Sequence, residues 1–483
     1  MKATTSPTPT SRPRSLATLT LFTAAAFAGG ALYGSRSAEA TSHDQNPYAM
    51  VGQFGRVLVQ IENNYVDPVD RTKLAEGAIR GMLEALDPHS AYMSEEEFAL
   101  FESDTEGHFG GVGIEVESRG DQLVVIAPIE GSPAERAGIR SGDRVIAVDG
   151  EDVSRTTLDK LVHKMRGLSG SHVRLSVRRP SEKDLLSFDL VRQVIHVPSV
   201  ASRTLEGGVG YIRVKQFQEK THDELLRTAA KLRAEAKGDL RGLVLDLRNN
   251  PGGLVDESAE VADEFLEAGT IYTERHRGQI VDEVTAKSGG AFADLPMVVL
   301  VNEYSASAAE LLAAALQDQK RALVVGANTF GKGSVQTIID LPGGAGIRLT
   351  TARYYTPSGR SVQAEGIHPD VLVELNRDPA TVALPTLHER DLEGHLSPER
   401  AATATGLPRP VYREPPEAAE RQNAGAAPAR LEAGAGYAGV ASPGADGTDA
   451  RNVPKDPSTG TDFALRIAYQ TLLGKLGGAR ATP

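Results

Sequence analysis

The sequence predicts an α/β multidomain chain: an N-terminal helical segment, a β-rich module, and an α/β core containing a βαβ crossover. Three observations predict it. Phe54, Val57, Leu58 and Ile61 share one helix face, and Leu74, Ala78, Met82 and Leu86 share another. The glycine-dense run Phe109-Gly-Gly-Val-Gly-Ile-Glu-Val116 leads into alternating apolar residues, the pattern of a loop entering a strand. Two apolar runs, residues 243–247 and 296–301, are each followed by a turn and a helical stretch, as in parallel strands joined by a right-handed crossover.

The first forty residues read as an address. Lys2, Arg12 and Arg14 precede an uncharged stretch over residues 15–34, and Ala38-Glu39-Ala40 follows. That is the order of n-region, h-region and cleavage site in a secretory signal. Cleavage after Ala40 is expected, with an uncleaved inner-membrane anchor over residues 15–34 as the alternative. Either places the chain in the periplasm or another extracytoplasmic space. The chain carries a net charge of −12, and losing residues 1–40 removes a net +3 to leave −15, which argues against a nucleic-acid partner. With no Cys among 483 residues, disulfides, thiolate metal sites and a cysteine nucleophile are excluded.

Residues 41–106 form the helical region, whose second stripe ends at Asp87-Pro88-His89-Ser90; His89 is expected to be structural. In the module over residues 107–195, the order of glycine loop, strand, short helix at 131–139, strand at 142–150 and strand at 172–178 resembles a PDZ domain. Such domains add a peptide's end as a strand and hold its carboxylate in a backbone nest. Gly110, Gly111, Val112 and Gly113 would make that nest, with Ile114 and Val116 lining the side-chain pocket. An ordinary glycine hairpin is the plainer reading of the loop taken alone.

Residues 196–377 make the larger core. Ser305-Ala306-Ser307-Ala308-Ala309-Glu310 lies between the strand 296–301 and an Ala/Leu-rich helix. Ser307 is therefore expected at a helix N-terminus, where backbone N–H groups favour developing negative charge. Twenty-five residues on, Lys332 sits between two glycines in Thr329-Phe-Gly-Lys-Gly-Ser-Val-Gln336. A neutral lysine is a base able to activate the hydroxyl. Residues 334–341 have strand composition, so Lys332 and Gln336, four apart, are expected on one face, with Gln336 orienting the amine. A phosphate loop ending at Lys332 fails, because Gly333 replaces the required Ser or Thr and no helix follows. A Ser/His/Asp triad would need His222, His276 or His368, none of which lies in a triad motif.

On these residues the chain resembles the carboxyl-terminal processing peptidases, or tail-specific proteases, from about Tyr48 to Asp370. The resemblance implies a crotonase-like or Clp-protease-like core and a Ser–Lys dyad of Ser307 and Lys332 supported by Gln336. Ala309 stands where the family often has another Ser. Arg166 matches an arginine of the family's PDZ module placed to couple peptide binding to the protease. Gly253 of Pro251-Gly252-Gly253 and Ala308 are the oxyanion-hole candidates; spacing leaves Gly252 and Gly253 open.

Residues 378–460, rich in Ala, Gly, Pro and Glu, read as a disordered linker before a C-terminal helix over 461–483 with Leu465, Ala468 and Leu472 on one stripe. The reading is a serine endopeptidase acting on protein substrates with free, apolar C-terminal tails. No metal or cofactor is required, while an adaptor or activator and a homo-oligomer are candidate partners. The competing class is a PDZ-based binding or assembly protein with an inactive or autoinhibited protease core.

Overall fold

A computed structural model describes residues 47–106, 108–119, 122–129, 131–153, 156, 158–375, 387–398, 409–415 and 453–478. The signal or anchor expected over residues 1–40 lies outside them. The chain divides into two compact units, Met1–Ala78 and Ile79–Pro483. Helix α1 (Pro47–Asn64) belongs to the first, and helix α2 (Arg71–Glu84) runs across the boundary. The apolar stripe of α1 is open, Phe54 being 49% and Val57 53% exposed. Among the described residues no helix is long and apolar enough to cross a membrane.

In the large unit, strand β1 (Ala91–Met93) and helix α3 (Glu95–Thr105) lead to the glycine loop. A ribbon of β2 (His108–Gly111) and β9 (Gln193–His196) flanks a six-stranded sheet. That sheet holds β3 (Ile114–Arg119), β4 (Gln122–Pro128), β5 (Arg144–Val148), β6 (Glu151–Asp152), β7 (His172–Arg178) and β8 (Leu186–Val191). Helices α4 (Pro133–Ala137) and α5 (Leu158–Met165) accompany it. Ser132 caps α4 and Gly138 ends it in the left-handed conformation, the chemistry expected of a short helix. Among the described residues β3 stands at the edge of its sheet and pairs with β4 alone.

The core is a seven-stranded sheet in the order β10 (Val200–Leu205), β11 (Val209–Val214), β12 (Gly242–Asp246), β15 (Met297–Val301), β16 (Leu323–Gly326), β19 (Val371–Glu374), β20 (Val411–Arg413). From β11 onward every pairing is parallel. Helices α6 (Thr221–Glu235), α7 (Val255–Asp263) and α8 (Ala308–Asp318) supply its crossovers. Both faces are buried, as parallel strands require. Leu243, Leu245, Val299 and Val301 join the cluster containing α7 and α8. Val244, Val298 and Leu300 pack on helix α9 (Phe463–Gly478), whose Leu465, Ala468 and Leu472 are at most 1% exposed. A second sheet, with β13 (Gly269–His276), β14 (Gln279–Ala286), β17 (Ser334–Asp340) and β18 (Gly346–Tyr355), includes β1.

Two expectations change here. Residues 378–460 are not linker throughout: β20 extends the core sheet, and Glu389 is fully buried. The low-aromatic composition hid these short anchors because each is only a few residues long. Lys332 does not belong to a strand either, since β17 begins at Ser334 and its ladder with β18 shifts register between Val335 and Gln336. Simple two-residue alternation therefore does not relate Lys332 to Gln336.

Candidate active site

Because β12 and β15 pair in parallel, the turns leaving their carboxyl ends meet. Side chains and backbone then join the two turns. The Ala306 N–H donates to the Asn250 carbonyl at 2.9 Å, and Ser305 Oγ donates to the Leu247 carbonyl at 2.8 Å. Asn302 accepts the Asn249 N–H at 2.9 Å, and Ser258 Oγ reaches the Ala308 carbonyl at 2.8 Å.

Ser307 opens α8 with φ 55° and ψ −120°, a backbone that a non-glycine residue adopts at a cost of about 1–3 kcal/mol. Its surroundings offset that strain. The Ser307 N–H donates to Glu310 Oε2 at 2.8 Å, while its carbonyl accepts from Glu310 and Leu311. Opposite, a Cβ at Gly252 would lie 2.7 Å from Ser307 Cβ, so the Pro251-Gly252-Gly253 turn and the Ser307 turn touch only because residue 252 is glycine.

Glu310 also gathers the lysine loop. Its carboxylate accepts the Gly331 N–H at 2.7 Å, the Lys332 N–H at 2.9 Å, and the Thr329 hydroxyl. The Ser307 and Lys332 bonds end on the same oxygen, which brings the two backbone nitrogens within ~6 Å. Burial pushes Glu310 up to about 7 despite these four donors.

Lys332 is 8% exposed, and burial followed by the nearby Arg348 cation brings its amine down to about 8, against the pull of Glu389, Glu310 and Asp87. At that value roughly a tenth of the amine is neutral at pH 7. Gln336 is half-buried beyond the register shift, its amide donating to Ser334 Oγ at 2.8 Å and Thr350 Oγ1 at 3.3 Å.

Of the two candidate glycines, Gly252 spends its N–H on Asn250 Oδ1 at 2.8 Å. Gly253 sits in a bridge with Phe217 whose bonds are made by Gly252 and Leu254, and a Cβ there would meet the Phe217 carbonyl at 2.0 Å. The Gly252 N–H is thus engaged within its own turn, and a Cβ at Gly252 would stand 3.0 Å from Ala308 N.

Sequence reasoning missed a shell around the lysine. His89 Nε2 lies 2.9 and 2.8 Å from the two Glu389 oxygens, and Gln363 joins Glu389 to the Gly333 N–H. Asp87 accepts from Ser90 and Thr350. His89 thus has a buried carboxylate partner rather than a place beside Ser307. A carboxylate three residues into α8 was the available signal for Glu310; none existed for Glu389, which comes from the expected linker. His368 meets Asn328, His222 meets Glu264, and His276 meets the Thr351 carbonyl.

In the β-rich domain, Gly110 and Gly111 are extended and paired with β9, so the left-handed turn of the expected nest falls at Gly113, φ 74°. Val112 and Val116 are buried in the domain core at 2% and 1% exposure, and Ile114 packs against that core. Val116 therefore contributes to packing, not to an open pocket wall. Arg166 follows α5 and begins the turn whose Gly167 N–H bonds the Gly110 carbonyl at 3.0 Å.

Comparison with known proteins matches Peptidase family S41 over residues 208–373, a PDZ domain over 124–179, and the activating protease CtpB N-terminal domain over 23–97. The carboxy-terminal-processing protease of Bartonella bacilliformis is 42% identical over 378 residues, 78% of this chain and 87% of that relative. A probable CtpA-like serine protease of Staphylococcus aureus is 37% identical over 68% of this chain and 65% of its own length. Among solved structures, a photosystem II D1 C-terminal processing protease is 32% identical, covering 69% of this chain and 94% of that one at a TM-score of 0.42.

Proposed function

As this chain belongs to the carboxy-terminal-processing proteases of peptidase family S41 and carries a PDZ domain, we propose that it works outside the cytoplasm as an endopeptidase on the C-terminal tails of proteins, with Ser307 and Lys332 as its dyad. The observation that carries this reading is the Glu310 oxygen shared by the Ser307 and Lys332 backbones, which brings a strained serine and a buried lysine into one site. A lysine held near 8 has the basicity the task requires, and a helix N-terminus beside a glycine turn supplies oxyanion donors.

In the cycle, neutral Lys332 takes the Ser307 proton as Oγ adds to the peptide carbonyl. The resulting oxyanion rests on the N–H groups of Gly253 and Ala308. Lys332 then passes the proton to the leaving amine, which departs as the acyl-enzyme forms, and next activates the water that releases it. Gln336, its amide nitrogen engaged by Ser334 and Thr350, turns its carbonyl oxygen to the amine. Substrate enters by strand addition along β3, with its terminal carboxylate at the Val112–Gly113 turn; Arg166 couples that event to the core through the β2–β9 ribbon. The signal or anchor expected from the sequence of residues 1–40 is what supports the extracytoplasmic location.

The test is intact-mass analysis of an unfolded reporter with an apolar C-terminal tail, incubated with residues 41–483 or their Ser307→Ala variant. Cleavage by the parent alone is expected. Tail binding without cleavage by either would support the binding-protein reading instead.

A further inference from the structure

Helix α9 lies outside the matched S41 segment, yet Asp462, the residue just before it, reaches Arg248, three residues before the Pro251-Gly252-Gly253 turn. Arg248 is the residue that connects them. Its guanidinium lies against Asp246, Nε at 3.0 and 3.1 Å and Nη2 at 2.6 Å, and also meets Asp462 with Nη1 at 3.0 Å and Nη2 at 2.9 Å. Asp246 is completely buried and additionally accepts from Tyr211 Oη at 2.8 Å. Asp462 in turn caps α9, accepting the Leu465 N–H at 2.9 Å.

What this bracket holds is the approach to the site. After Arg248 comes Asn249, with φ 58°, and then Asn250, whose amide oxygen fixes the Gly252 N–H and whose carbonyl fixes the Ala306 N–H. An Arg248 shift is thereby passed within two residues to both sides of the oxyanion site. The apolar face of α9 docks it on the sheet through Phe463, Leu465, Ala468 and Leu472. The Asp462 side chain is 30% exposed, so its pair with Arg248 adds little net stability to such packing, whereas its two-point contact fixes the direction of the guanidinium.

We infer that the C-terminal helix is a positioning element of the protease site: Asp462 clamps Arg248 and thereby sets the oxyanion turn, so that this chain supplies part of its catalytic alignment from its own far end. This rests on the dyad reading above. Asp462 bonds Arg248 and the first turn of α9 and acts on the site through Arg248.

The experiment uses the chain over residues 41–483 with Asp462→Asn, which keeps an oxygen to cap α9 and removes the charge facing Arg248. The tail-bearing reporter should show a kcat at least tenfold lower, with KM changed less than twofold and an unchanged thermal midpoint. Affinity for a peptide aldehyde, which adds to the serine and presents an oxyanion, should fall by the same factor as kcat. Leu472→Ala, which disturbs α9 packing away from Arg248, should lower the thermal midpoint more than kcat. Equal kcat and aldehyde affinity in Asp462→Asn and parent would overturn the inference, as would losses in kcat that merely follow the thermal midpoint in both variants. Cleavage surviving Ser307→Ala would overturn the dyad reading first, and this inference with it; cleavage that needs Ser307 but ignores Asp462→Asn overturns the inference alone.

Discussion

The chain places two glycine-dense turns beside strands, and they are built differently. Around Pro251-Gly252-Gly253 the backbone is held by buried side chains: Asn250, Ser305, Ser258, and Arg248 with its two carboxylates. Around Gly110 to Gly113 the restraints are mostly backbone ladder and turn bonds, with Ser132 Oγ donating to the Gly113 carbonyl at 2.9 Å. A site that must stabilise charge in a transition state gains from donors fixed in advance. A site that captures many tails needs only an open strand edge and a turn of amides. On the roles proposed above, the difference accounts for one glycine loop being welded into a core and the other lying on a separate small sheet.

That contrast predicts different failures for the same substitution. Gly253→Ala puts a Cβ 2.0 Å from the Phe217 carbonyl at φ 126°, and kcat should fall by about 10³. Gly113→Ala, the smallest of the effects considered, also meets an obstacle, Ser132 Cβ at 2.3 Å. There the loss should fall on capture: KM for the tailed reporter rises about tenfold while kcat at saturation is kept, equivalent to ~1.4 kcal/mol. A kcat loss as large as that of Gly253→Ala would erase the distinction.

Between these extremes lie the two buried ionisable groups. Lysine 332, with a native value near 8 against ~10.4 unfolded, is charged in both states below pH 8, and there burial destabilises the fold by about 3 kcal/mol. Between pH 8 and 10.4 the unfolded chain holds the extra proton, so stability rises with pH and the penalty disappears. In a Ser307→Ala background, Lys332→Met should therefore be more stable by about 3 kcal/mol at pH 7 and nearly equal above pH 10.4, measured by urea unfolding. Glu310→Gln replaces a carboxylate that accepts four donors by an amide that accepts on one side only; kcat should fall by about 10², ~2.7 kcal/mol, with tail affinity unchanged in a binding assay.

The parallel core and its two strand-turn-helix units were legible because apolar runs 243–247 and 296–301 are bounded by unmistakable turns, and both faces of a parallel sheet are buried. The place of Ser307 at a helix start was legible for the same reason. Its left-handed backbone was not, since alanine and serine carry no mark of positive φ. Nor was the lysine's setting: a bulge at Val335/Gln336 defeats strand alternation, and the partners Glu389 and Gln363 come from segments far along the chain. Composition read residues 378–460 as linker and missed the few described residues within them that anchor to the core.

The central claim is that buried Lys332 serves Ser307 as base, and the pH dependence of kcat/KM on the tailed reporter tests it most directly. One rising limb with a midpoint near pH 8 is predicted, absent from Lys332→Ala, whose residual rate should be too low to profile. A limb near pH 6.5 that persists in Lys332→Ala would assign the base to a histidine and contradict the account.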